Sequence, residues 1–195
     1  MEFTVQHLSD KIDAENEAFE KMTKAEKRVV IAQDCLLRIG FNQIIPTEAT
    51  FCTLNSEFDD SDKSVKAILN STSKSVCRAC AKGGLFMSYL GRVNNMNFDE
   101  IEPSNNCNNS SHKKLLEIFT IRQLSLIEFA YEGKQYIHYS KNNKEMEFDY
   151  RKIRKFRNKI KELWYDCDND DLTFENMLLV EICNIIIKNK GTFKL

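Results

Sequence analysis

Proline and glycine are scarce in this chain, with two prolines and six glycines among 195 residues. So few breakers leave little material for the turns of a β-sandwich or for long linkers, and a mainly helical, all-α fold is expected. Histidine is scarce too: His7, His112 and His138 are the whole complement. No H-E-x-x-H, nucleophile elbow or phosphate-binding glycine loop occurs. With no recognisable acid, base and nucleophile, a non-enzymatic protein without a cofactor is expected. An excess of one charge is missing as well, since Lys and Arg number 28 against 29 Asp and Glu. No long-range field recruits nucleic acid or anionic lipid to the whole molecule, so such binding has to be local. Apolar runs such as Ile185 to Ile187 fall far short of the roughly 20 residues of a membrane span. Met1 to Asp10 carries Glu2 where a signal peptide needs a positive charge, and no apolar segment follows. Seven cysteines, odd in number and irregularly spaced, read as reduced thiols. These absences together predict a cytoplasmic protein with no membrane contact.

What is present supports a folded chain. Apolar residues make up 42% and charged residues 29%, the balance of a soluble globular protein. A chain of this size can bury roughly 70% of its unfolded surface, and residues 1–195 are expected to form one compact domain. Thr23-Lys24-Ala25-Glu26 fits a capping box, after which apolar residues recur at helical spacing to Ile39 and Gly40 supplies a stop. Thr120-Ile121-Arg122-Gln123 is a second such box, opening a helix that Gly133 ends. Further helices are expected after the acidic patch Glu57, Asp59, Asp60 and Asp62, after Asp149, and from about Leu172 to Lys190, for a total of about five to seven. Tyr136 to Tyr139 and Met146 to Phe148 flank a polar turn and predict a small β-hairpin near 135–150. Asn94 to Ser111, rich in asparagine, reads as a mobile surface loop.

The stretch Lys74 to Val93 reads as a central buried helix. At about 100° per residue, Cys77, Cys80, Ala81, Gly84, Ser88 and Gly91 form a small-residue side, and Ala79, Gly83, Phe86, Leu90 and Val93 a bulky apolar one. Arg78, Lys82, Tyr89 and Arg92 share a third strip, the one side left to solvent and hence a candidate binding surface for protein or nucleic acid. Gly83 and Gly84 would each cost about 1 kcal/mol against alanine in a helix, which predicts close approach of another backbone.

Two thiols spaced as Cys77-x-x-Cys80 could share a tetrahedral metal if Cys107 and His112, or Cys52, completed the set. The competing reading is plain packing of small side chains, which the helical pattern already accounts for. A thioredoxin-like role would need a strand before the pair, and none is expected there. Asp166 to Asp170 resembles a calcium loop only superficially, because Asp171 and Met177 stand where glycine and glutamate are required. The segment 151–161 is strongly basic, with Arg151, Arg154, Lys155 and Arg157 among its cations. Such a helix binds phosphate backbones through counterion release, or is simply a solvated face.

Cys77 to Phe86 and the ending Ile182 to Phe193 resemble segments of a family of small bacterial and phage proteins with no assigned activity. Thr120 to Glu132 is similar to that family's middle segment. The resemblance covers about a quarter of the chain. It carries over no site residues, and implies a cytosolic setting and an origin in a phage or mobile element. The function expected is therefore binding of an unidentified protein partner, as a modulator or inhibitor of a host defence system. The alternative is a nucleic-acid-binding module using helix 151–161, and a structural zinc protein is the third.

Overall fold

A computed structural model describes residues 15–54, 64–71, 77–93, 110–133, 144–167 and 172–195. Among them lie the helices α1 (residues 15–21), α2 (Lys24–Gly40), α3 (Val65–Ser71), α4 (Ala81–Val93), α5 (Ser110–Leu116), α6 (Ile121–Glu132), α7 (Lys144–Tyr165) and α8 (Phe174–Lys188). Three short strands accompany them: β1 (Ile44–Pro46), β2 (Thr53–Leu54) and β3 (Cys77–Ala79). The fold is mostly helical, as expected. The eight helices among the described residues exceed the anticipated number, because the weakly patterned α1 and the short α5 carry too few turns to show a period.

Both capping boxes form. Thr23 Oγ1 accepts the Glu26 N–H at 3.3 Å while the Glu26 carboxylate accepts the Thr23 N–H at 2.8 Å. Thr120 and Gln123 repeat the exchange at the start of α6. Gly133 ends that helix with φ 69°, a left-handed conformation that a side chain would strain. From α2, the residues Ile31, Ala32, Cys35 and Ile39 turn inward at the spacing that puts them on one face. Helix α8 packs along α2 and also meets α6 and α7, and its Leu178, Leu179, Ile182, Cys183 and Ile186 are buried. The tail beyond α8 is tied to the start of α2: the Arg28 guanidinium donates to the Gly191 carbonyl and, at 2.6 Å, to that of Ile118. Buried apolar residues from Phe19 to Phe193 form one cluster.

Two expected elements differ. Lys74 to Val93 is not one helix: Cys77–Ala79 is a strand, and the helix starts at Ala81. Strand β3 is the middle of a three-stranded sheet, parallel to β1 with Ile44 opposite Cys77 and antiparallel to β2 with Leu54 opposite Cys77. Three residues are too few for alternation to separate a strand from a helical turn. The hairpin near 135–150 is also overturned in its second half, because Met146, Glu147 and Phe148 belong to α7, and Asp149 lies inside that helix rather than capping it. Its first half, Tyr136 to Tyr139, lies outside the described residues, as do Glu57 to Asp62 and most of the loop 94–111, whose last two residues open α5.

Helix α4 sits at the centre, meeting α2, α3, α6, β1 and β3. Every residue from Ala81 to Gly91 is buried, so no polar strip is left open. The expected backbone approach is found at Gly83, where a Cβ would lie 1.4 Å from the Phe51 carbonyl oxygen. At Gly84 the neighbours are side chains, Leu179 and Cys35.

Candidate functional site

The sequence of α7 puts two kinds of side chain on opposite sides of one helix. Ile153 and Ile160 are buried, Phe156 packs against the core, and their spacing places them on a single stripe. Trp164 fixes the end, donating from Nε1 to the Leu172 carbonyl at 2.8 Å and lying 6.1 Å from the Phe174 ring. The solvent side carries Arg151, Arg154, Lys155, Lys159 and Lys161, all exposed, with Asn158 and Glu162 between them. Arg151, Lys155 and Lys159 recur every fourth residue, so their Cα atoms are spaced about 6 Å along the axis. With Lys152, Phe156 and Leu195 they line a shallow hollow. Lys152 Nζ donates to the Leu195 carbonyl at 2.9 Å. Among the described residues no acidic group forms an ion pair with Arg151, Arg154, Lys155 or Lys159. Among the described residues, four cations therefore stand unpaired on one face, with Glu162 the carboxylate between them.

Arg157 belongs elsewhere. It turns inward, donates to the carbonyls of Ala130 and Tyr131 at the end of α6, approaches Glu48 at 3.5 Å and lies over the Phe174 ring. Its role in the fold is to join α6, α7 and α8.

The four candidates from the central stretch are not brought together on an open surface. Arg78 is exposed on β3. Lys82 is buried, its Nζ 2.6 Å from Glu128 of α6. Tyr89 is buried against Phe19, and burial, with Glu117 and Glu20 nearby, pushes its hydroxyl up to about 12. Arg92 pairs with Asp34 at 3.1 Å. The helical wheel assumed a helix with one wet side, whereas α4 is buried from Ala81 to Gly91 and Arg92, near its end, is about one third exposed.

The cysteine pair is split between two elements. Cys77 lies in β3 and its thiol is hydrogen-bonded to that of Cys52, both free, which together with burial raises its pKa well above the ordinary value. Cys80 precedes α4, and its sulfur accepts the N–H groups of Gly83 and Lys82; burial nevertheless pushes it up to about 12. Cys107 lies outside the described residues, and of His112 only the backbone, in α5, is described. Among the described residues no three or more His, Cys, Asp or Glu side chains are grouped to hold a metal ion.

No family model, curated protein or solved structure matches this chain. Its surface chemistry is what carries a functional reading. No described helix is long and apolar enough to cross a membrane.

Sequence reasoning missed two groups of charged residues. One is the pair Asp34 and Arg38, against which the candidate Arg92 is held; the four-residue spacing of Asp34 and Arg38 was the available signal. The other is Glu132, whose carboxylate accepts the Ala49 N–H at 3.1 and 3.2 Å. Ala49 holds a φ of 56°, uncommon for a residue with a Cβ, and no sequence pattern announces it.

Proposed function

We propose that this protein acts by binding rather than catalysis, and that the basic face of α7 is its contact surface for the phosphate backbone of a nucleic acid. The observation that carries this reading is the row of exposed cations, Arg151, Arg154, Lys155 and Lys159, without acidic partners among the described residues. Phosphates neutralised by such side chains release counterions, so binding weakens steeply with salt. Contacts with about four phosphates give a slope of log K against log salt of roughly −3 to −4. Fluorescence anisotropy with labelled DNA and RNA at several salt concentrations tests this. Arg154→Glu, Lys155→Glu and Lys159→Glu together abolish the binding while leaving the fold intact; unchanged retention, or none by the parent protein at low salt, overturns it.

A second reading is docking on a protein partner, as a phage- or mobile-element-encoded modulator of a host defence system inside the cell. Leu37 and Phe41, 56% and 66% exposed and one turn apart at the end of α2, favour it, because exposed apolar pairs anchor protein contacts. Leu37→Ser with Phe41→Ser would then abolish capture of the partner, whereas charge reversal on α7 would leave it unchanged.

A further inference from the structure

A cleft of about 460 Å³ opens between α1, α2, α3 and α4, within the size range of sites that enclose small molecules. Its floor is a buried ion cluster. Asp34, 5% exposed, accepts from Arg38 Nε at 2.6 Å and from Arg92 Nη2 at 3.1 Å. Arg38 also donates to Gln43 Oε1 at 3.0 Å and to the Leu69 carbonyl at 3.2 Å, so its guanidinium is fully engaged in tying α2 to its neighbours. Gly91 makes room for it: a Cβ there would lie 2.6 Å from Arg38 Nη2. One carboxylate thus serves two guanidiniums, and the second, on Arg92, remains about one third exposed in the cleft. Its Nε–H is enclosed without an acceptor among the described residues, and a native structure rarely leaves a buried donor so. Lys66 adds a further ammonium at the same wall, held by Asn16 and by the Arg92 carbonyl. The lining also includes the apolar residues Phe19, Met22 and Val30. Glu15 is the one further carboxylate among the described lining residues.

A cleft lined by both cations and apolar side chains suits a molecule with one negative head and a short hydrocarbon body. We infer that this cleft is a binding site for a small aliphatic carboxylate, with Arg92 receiving the carboxylate and Phe19, Met22 and Val30 covering the chain. Arg38 and Asp34 act as positioning residues that hold Arg92. This inference is independent of the role given to α7, since it uses different helices and a different ligand.

Hexanoate, hexylamine and inorganic phosphate serve as probes, titrated into the full chain and followed by calorimetry and by amide chemical shifts. A ligand of about eight non-hydrogen atoms is expected to bind with a Kd near a millimolar. Hexanoate should saturate, and the other two should not. Arg92→Gln should weaken hexanoate on the order of tenfold, the size of one charge-assisted hydrogen bond. Gln33→Glu, at the exposed lining, should weaken it in the same direction without touching the buried cluster, and its unfolding midpoint checks that the fold is kept. Absence of saturation by hexanoate overturns the inference, as does equal binding of hexylamine or phosphate. Unchanged hexanoate affinity in Gln33→Glu, or in a folded Arg92→Gln protein, overturns it as well.

Discussion

Lys82 of α4 and Glu128 of α6 meet at 2.6 Å with only 11% and 22% of their side chains exposed. A charge left alone in such a place costs more than the pair contributes. Lys82→Met should therefore destabilise the protein by about 2–3 kcal/mol, while Lys82→Met combined with Glu128→Leu should recover most of that loss. Urea unfolding of the two single variants and the double variant measures the coupling; additive losses would contradict it.

Gly83 and Gly40 both lie in helices, and alanine should affect them oppositely. At Gly83 a Cβ meets the Phe51 carbonyl oxygen, and the backbone has to move, whereas at Gly40 nothing lies within 4 Å. Gly83→Ala should cost at least about 2 kcal/mol despite the better helix propensity of alanine. Gly40→Ala should be neutral or stabilising by up to about 1 kcal/mol. Thermal unfolding midpoints of the two variants suffice to compare them.

Arg157 and Arg154 are three residues apart in one basic segment, yet they should respond differently to truncation. Arg157 satisfies carbonyls at the end of α6, and Arg157→Ala should cost about 2 kcal/mol through their loss. Arg154 is exposed, and Arg154→Ala should change stability by no more than about 0.5 kcal/mol while weakening polyanion binding. Equilibrium unfolding and anisotropy measured on the same samples separate the two effects.

Burial raises the Glu132 carboxyl above its ordinary 4.5, with Glu48 and Glu128 adding to the effect and the Ala49 N–H and Arg157 opposing it. The folded chain thus takes up this proton before the unfolded chain does. Its contribution to stability is complete below 4.5 and is lost as pH rises through the raised value. Relative to Glu132→Gln, the parent protein should gain stability as pH falls from about 7 towards 4.5. Denaturant midpoints for both proteins across that interval provide the test, and parallel curves would refute it.

Local rules were enough for three helix ends, though not at Asp149, which lies inside α7, nor at Gly40, which α2 includes before its cap at Phe41. The pairs Thr23 with Glu26 and Thr120 with Gln123, and the turn at Gly133, depend on residues close in sequence, and the structure shows each of them. The strands were not legible, because what makes Cys77 to Ala79 extended is pairing with Ile44 to Pro46 and Thr53 to Leu54, far away in the chain. The same error moved the candidate site. A wheel drawn on Lys74 to Val93 left Lys82 and Tyr89 in water, whereas the sheet turns the chain at Cys80 and buries them both. On α7, the basic composition and the apolar stripe were both readable, and the inward turn of Arg157 was the part that required its neighbours.

The tie between Arg28 and Gly191 spans 163 residues, and it has a consequence for how the chain is made. At about 5–20 residues per second, a ribosome adds Gly191 roughly 10–30 s after Arg28. Throughout that time the apolar face of α2 has no α8 to cover it. Such long separations slow folding as well, since loop closure precedes the contacts that reward it. The nascent chain therefore carries the inward face of α2, with Ile31, Cys35 and Ile39, incompletely covered until the last helix arrives.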